Sequence, residues 1–131
     1  MGQEYLIDTN ILIYALEGLF INNQDMIKIF DESFNASVIS EIEFLGWKGF
    51  SEKSKEEAKN FLGLANIHPL TSEIKDLSIE FKQKFNIKLG DSIISATAVI
   101  NNLVLVTRNS KDFNKINDLL IYNPFKETNY E

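Results

Sequence analysis

The chain is 131 residues long, with 44% hydrophobic and 24% charged residues, the proportions of one folded domain rather than of a disordered or multidomain protein. It has no cysteine and a single histidine, which excludes disulfides, thiolate metal sites, cysteine nucleophiles and a two-histidine acid/base pair; acid/base or metal chemistry must rest on carboxylates. Thirteen Lys and Arg against 19 Asp and Glu leave a net charge of −6, too acidic to hold nucleic acid by bulk charge alone.

Glu4-Tyr5-Leu6-Ile7-Asp8 reads as a first strand, and Thr9-Asn10 supplies helix-start chemistry for Ile11, Leu12, Ile13 and Leu16, with Gly18 ending that helix. A second helix is expected over 23–34, with Met26, Ile27, Ile29 and Phe30 on its apolar side, followed by a short buried strand at Ala36-Ser37-Val38-Ile39. Ser40-Glu41-Ile42-Glu43 has the form of a capping box, with Ser40 at the N-cap of a helix running through Phe44, Leu45 and Trp47. After Gly49 and Ser51, Ser54-Lys55-Glu56-Glu57 opens a helix that buries Ala58, Phe61, Leu62 and Ala65. Ile67-His68-Pro69-Leu70 returns as a strand, and Thr71-Ser72-Glu73 caps a helix carrying Ile74, Leu77, Ile79 and Phe81. Asn86 and Gly90 bracket a loop. From Asp91 to Ile100 the residues are apolar or small nearly all round, as in a helix buried between neighbours. Leu103-Val104-Leu105-Val106 is the most strand-like run. Weak helical periodicity follows Asn109, and Leu119-Leu120-Ile121-Tyr122 closes the pattern before Asn123-Pro124, leaving a polar tail.

Five strands separated mostly by helices imply a parallel sheet covered on both faces through right-handed crossovers. Such sheets bind ligands beyond the carboxyl ends of their strands. Asp8 ends the first strand, Glu43 follows the second, Asp91 opens the buried helix and Asp112 follows the strand 103–106. An acid in a first helical turn interacts with the helix dipole by only about 0.3–1 kcal/mol and is commonly structural. An acid at the buried end of an apolar strand is costly without donors or a cation, and a cluster of four is costlier still. A hard divalent cation relieves that repulsion. Setting the four acids aside takes the net charge from −6 to −2, so an anionic substrate is not excluded.

Four segments carry a resemblance: Tyr5-Leu6-Ile7-Asp8-Thr9-Asn10-Ile11-Leu12-Ile13, Ser37-Val38-Ile39-Ser40-Glu41-Ile42-Glu43, Gly90-Asp91-Ser92-Ile93-Ile94-Ser95-Ala96-Thr97-Ala98 and Leu105-Val106-Thr107-Arg108-Asn109-Ser110-Lys111-Asp112-Phe113. In order and spacing they resemble the signature blocks of PIN-domain ribonucleases, and most of all the VapC-type toxins of toxin–antitoxin pairs. The resemblance implies a three-layer α/β/α fold with a central, mainly parallel five-stranded sheet over residues 1–125, and a tail at 126–131. It implies an endoribonuclease dependent on Mg²⁺ or Mn²⁺, a cognate antitoxin protein and a homodimer; the expectation of a cytoplasmic location comes instead from the lack of a spanning run and of a secretory start. Asp8 and Asp91 match the family's metal-binding acids, with Glu43 and Asp112 completing the catalytic set. Some members place an acid where this chain has Asn109, so either Asn109 or Asp112 fills the fourth position. Thr9 and Thr107 are candidate supporting hydroxyls, and Arg108, the only arginine, is a candidate phosphate contact.

Two other α/β patterns fit less well. A dehalogenase-type phosphatase needs an Asp where Asn10 stands, and a receiver domain needs an Asp after the third strand, where Thr71-Ser72-Glu73 is found. A catalytically silent PIN-like binding module, or a Mg-dependent phosphohydrolase, is the alternative reading. His68 is expected to pack structurally. The lysines at 53, 55, 59, 82, 84 and 88 are either solvated or an RNA approach, and Phe20, Phe44, Trp47 and Phe50 are either core or a partner groove. No apolar run has the length of a spanning helix, and the first residues lack the basic start of a secretory signal.

Overall fold

The computed structural model describes residues 2–125. Five strands, β1 (Tyr5–Ile7), β2 (Asn35–Ser37), β3 (Asn66–His68), β4 (Val104–Val106) and β5 (Ile121–Tyr122), form one sheet in the order β3-β2-β1-β4-β5 with every pairing parallel. The helices are α1 (Thr9–Leu16), α2 (Gln24–Glu32), α3 (Val38–Leu45), α4 (Glu52–Leu62), α5 (Ser72–Lys84), α6 (Leu89–Ile100) and the single turn α7 (Ser110–Phe113). This is the three-layer α/β/α architecture that the alternation of strand and helix signals predicts.

The two-residue period of the strands sorts the core. Leu6 and Leu105 point into one cluster with Ile74, Phe81, Ile94 and Phe113 from α5, α6 and α7. Ile7 and Val106 point into the other, with Leu12, Met26, Phe44 and Leu62 from α1 to α4. Each large side chain buried this way contributes about 1.5–3 kcal/mol. Helix α6 is buried from Ser92 to Ala98. The hydroxyls of Ser92, Ser95 and Thr97 are satisfied there by donating to the carbonyls of Leu89, Asp91 and Ile93 in their own helix.

Several boundaries move, each for a local reason. β2 covers Asn35–Ser37 rather than 36–39, because Ser37, paired with His68 at the end of the ladder, accepts from the Ile39 amide at 3.0 Å and caps α3. Ser40 is therefore inside the helix and not its cap. α4 begins two residues early, at Glu52, because Ser51 caps it by accepting from the Ser54 amide at 3.1 Å. α6 takes in Leu89 and Gly90, since the Ser92 amide already bonds to the Lys88 carbonyl at 2.9 Å. β3 stops at His68 because Pro69 has no amide to continue the ladder. β5 is only two residues long, paired with Leu105 and Val106, and Leu119 packs as a buried loop residue. His68 sits in a polar ladder, its Nε2 3.1 Å from Asn35 Oδ1, and burial pushes its pKa down, favouring the neutral ring. The expected tail at 126–131 lies outside the described residues.

Candidate active site

The strand order places a topological switch between β1 and β4: the chain leaves β1 toward β2 and β3, then returns on the other side. A crevice opens at the carboxyl ends of those two strands. Asp8 directly follows β1 and Thr107 directly follows β4. The Thr107 hydroxyl donates to Asp8 Oδ2 at 2.7 Å, joining residues 99 positions apart. Asp8 is also the N-cap of α1, its Oδ1 accepting from the Thr9 amide at 2.8 Å, while Oδ2 accepts a further bond from Asn10 Nδ2 at 3.2 Å. The residue is only 4% exposed. Burial drives its pKa up, the Thr107 and Thr9 bonds pull it back, and the charges of Asp91 and Glu43 add to the rise, leaving it at about 6.

Glu43 reaches the crevice by a different register from the expected capping box. With Ser37 as N-cap, Glu41 occupies the first turn of α3 and Glu43 the second. Thr9 fixes Glu43 in place: its hydroxyl donates to Glu43 Oε1 at 2.5 Å and lies 3.0 Å from the buried Ser40 hydroxyl. On its other side, Glu43 Oε2 lies 3.1 Å from where a Cβ on Gly90 would stand. Glu43 therefore abuts the first turn of α6. In Gly90→Ala, the helix gains about 0.8–1 kcal/mol of propensity while the methyl displaces the carboxylate. We expect unchanged or slightly raised thermal stability and a several-fold loss of kcat, read by thermal unfolding and single-turnover kinetics; full activity would show that Glu43 need not be held here.

Asp91 lies in the first turn of α6, and its carbonyl accepts from the Ser95 hydroxyl. Its pKa is raised by burial and by the charge of Asp112, lowered by Lys88, and raised again by Glu43. Asp91 and Asp112 line one cavity of about 440 Å³. Asp112 also borders a second cleft, of about 390 Å³, with Arg108 and Asn109. Asn109 supports the site through its backbone, its amide donating to Thr107 Oγ1 at 3.0 Å, and its side chain does not cap α7. Arg108 is held against two aromatic rings. Its side chain donates to the Tyr14 hydroxyl at 2.9 Å, and its guanidinium carbon sits 5.3 Å from the Tyr14 ring centre and 4.6 Å from that of Phe125.

The structure thus couples Asp8, Glu43, Asp91 and Asp112 electrostatically along one rim. Among the described residues, no three His, Asp or Glu side chains stand close enough to enclose an ion by themselves. The donors are all hard oxygens whose charges oppose one another. That set fits a hard dication taking one or two carboxylates and keeping its waters, and not a closed zinc cage.

The PIN domain family matches residues 5–119. The chain belongs to the PIN-domain family. This PIN domain is 27% identical over 130 residues to Ribonuclease VapC2 of Rickettsia felis, covering 91% of this chain and 96% of that relative. Among solved structures it resembles a toxin–antitoxin complex from Klebsiella pneumoniae at 30% identity and a TM-score of 0.75, covering 93% of this chain and 98% of the other. It resembles VapBC2 from Rickettsia felis bound to a DNA fragment from its promoter at 25% identity and a TM-score of 0.73, with coverage of 92% and 98%. VapBC from Salmonella typhimurium, 18% identical with a TM-score of 0.80 over 94% of this chain and 99% of the other, shares the fold.

Asn10 is the residue of this PIN domain that sequence reading missed. It donates to Asp8 and its Oδ1 accepts from the Arg108 amide at 3.3 Å, tying the first block to the fourth. Its position two residues after Asp8, in the first turn of the same helix, is the signal that pointed to it. Of the four aromatics weighed as a groove, Phe44 and Phe20 are buried, Phe50 is half-buried and only Trp47 is largely exposed. A cleft of about 570 Å³ at the start of β1, lined by Glu4, Asp25, Lys28 and Glu32, contains none of the rim acids. Among the described residues, no helix is long and apolar enough to cross a membrane.

Proposed function

We propose that this PIN domain is an endoribonuclease that hydrolyses RNA phosphodiester bonds with Mg²⁺ or Mn²⁺, and that it is the toxin of a VapBC-type pair. The observation that carries this reading is the Thr107–Asp8 bond across the switch point, which stations a buried carboxylate beside Asp91 and Glu43. Similarity to Ribonuclease VapC2 and to toxin–antitoxin structures supports the substrate class and the antitoxin partner.

Asp8 and Asp91 would hold the ion, Asp8 presenting a carboxylate whose orientation Thr9, Asn10 and Thr107 fix. A bound dication supplies charge neutralisation at the scissile phosphate and a lowered pKa for water. Glu43, braced by Thr9, orients the attacking water and takes its proton, and Asp112 adds negative charge beside Asp91 that favours a bound cation. No histidine enters the reaction. Water attack, without participation of the ribose 2′-hydroxyl, leaves 5′-phosphate and 3′-hydroxyl ends. A shallow groove of about 390 Å³ between α1, α2 and α4, with Ile21 and Ile27 exposed at its rim, gives the antitoxin an apolar surface to cover.

The test is incubation of purified protein with single-stranded RNA and Mg²⁺ or Mn²⁺ against an EDTA control, with end analysis of the products. Cleavage with metal only, giving 5′-phosphate ends, is expected. RNA left intact with either metal, or ends carrying a cyclic phosphate, overturns the reading.

A further inference from the structure

Three lysines from separate parts of the chain line the cavity that holds Asp91 and Asp112: Lys82 on α5, Lys88 immediately before α6, and Lys115 just after α7. Two are fixed by the same loop. Lys82 Nζ donates to the Ile87 carbonyl and Lys115 Nζ to the Asn86 carbonyl, each at 2.8 Å. An ammonium has three protons, so each fixed nitrogen keeps further donors for another acceptor. Among the described residues the lysine–carboxylate pairs are Lys55 with Glu52, Lys75 with Asp76 and Lys84 with Glu80, none of them in this cavity. Three ammonium groups therefore share one cavity without a close ion pair, in a chain whose net charge is −6. Lys88 interacts with the Asp91 charge across the cavity, yet three ammonium groups against two carboxylates leave the lining net positive, and an anion seated among the lysines is stabilised.

We infer that this lysine-lined cavity takes a backbone phosphate of the RNA strand next to the one being cleaved. The inference rests on the ribonuclease reading, because Asp91 and Asp112 join the cavity to the catalytic rim. Asp112 also borders the cleft of Arg108 and Asn109, so a strand passing the rim meets positive charge on both sides of the acids. Lysine is a point charge that reads no base edge, so this contact sets affinity and strand placement without choosing a sequence.

Binding of a labelled single-stranded oligoribonucleotide in an Asp8→Asn background, measured across a salt series, isolates the contact from cleavage. Each phosphate contact removed lowers the slope of log K against log salt by about 0.7. Lys88→Gln is expected to lower the slope by that amount and Lys88→Gln with Lys115→Gln by about twice it, with several-fold weaker binding per charge. In the otherwise wild-type enzyme both variants raise KM more than they lower kcat and leave the cleavage position in the RNA unchanged. Because Lys115 also ties down a loop, the single Lys88 variant carries the decision if the double variant is unstable. The triple change Lys53→Gln, Lys55→Gln and Lys59→Gln on α4 is expected to leave the slope unaltered. An unchanged slope in Lys88→Gln overturns the inference, as does displacement of the oligonucleotide by equimolar inorganic phosphate, which marks a free-phosphate pocket. Failure of the wild type to cut RNA with Mg²⁺ or Mn²⁺ overturns the ribonuclease reading, and the binding slopes still decide the cavity.

Discussion

Asp8→Asn is expected to lower RNA cleavage by about a thousandfold or more, the equivalent of roughly 4 kcal/mol of transition-state stabilisation, while making the metal-free fold more stable. The two effects share one cause. Asp8 is buried, and its pKa is pushed from the ordinary 3.8 up to about 6. The folded state therefore holds the proton more tightly than the unfolded chain. Stability from this group is fully present below about pH 4 and is lost as pH rises through 6, a loss of roughly 3 kcal/mol by pH 7 in the absence of metal. Asparagine removes the charge and keeps an oxygen for the Thr9 amide, but it loses the one oxygen that accepts from both Asn10 and Thr107, which returns about 1 kcal/mol. Thermal unfolding at pH 8 and pH 4 checks the sign: the variant gains about 1–2 kcal/mol at the higher pH and nothing at the lower. Wild-type cleavage rates in the purified variant would remove Asp8 from the chemistry, and a loss of stability at pH 8 would mean that its carboxylate is not strained by burial.

Thr107→Val is the second large effect. Valine preserves shape and deletes the hydroxyl that donates to Asp8 Oδ2 and accepts from the Asn109 amide. The Thr107 bond is the strongest influence holding the Asp8 pKa down, so its loss moves that pKa further upward. Because a cation must displace the Asp8 proton to bind, the rising limb of the pH–rate profile at sub-saturating metal should shift to higher pH, with activity at pH 7 falling by at least tenfold and partly recovering toward pH 9. Leaving a buried carboxylate short of a donor costs about 1–3 kcal/mol, largest above pH 6 and small near pH 4, where Asp8 is protonated. A pH–rate curve with its midpoint unmoved would show that Thr107 does not tune Asp8.

The strand and helix pattern made the fold legible, because apolar runs such as 103–106 and the evenly buried face of α6 answer to burial on both sides of a parallel sheet. The carboxyl-end placement of Asp8, Asp91 and Asp112 followed from chain order. Cap chemistry was less legible. Ser37 and Ser40 both precede a plausible helix start, and the choice between them depends on where the β2 ladder ends against β3, a long-range fact. The orientation of Glu43 came out of the Thr9 hydroxyl and the absent side chain of Gly90, contacts made 34 and 47 residues away in sequence. The role of Asn10 was hidden for the same reason: its partner, the Arg108 amide, comes within reach only when β1 and β4 lie side by side. Lys82 and Lys88 were open to either reading, solvated or on an RNA approach, and Lys115 drew no notice; the loop at 86–87 brings all three to one cavity.

Asp8 and its neighbouring acids are proposed to form one cation site at the switch point. Titration of Mn²⁺ into metal-free protein at pH 7.5, followed by thermal unfolding of the wild type and of Asp8→Asn, tests it most directly. At about a hundredfold excess over the dissociation constant the wild type should gain roughly 10 °C, and Asp8→Asn should gain little or nothing. A wild type whose unfolding temperature does not move, or an equal rise in both proteins, would contradict the claim.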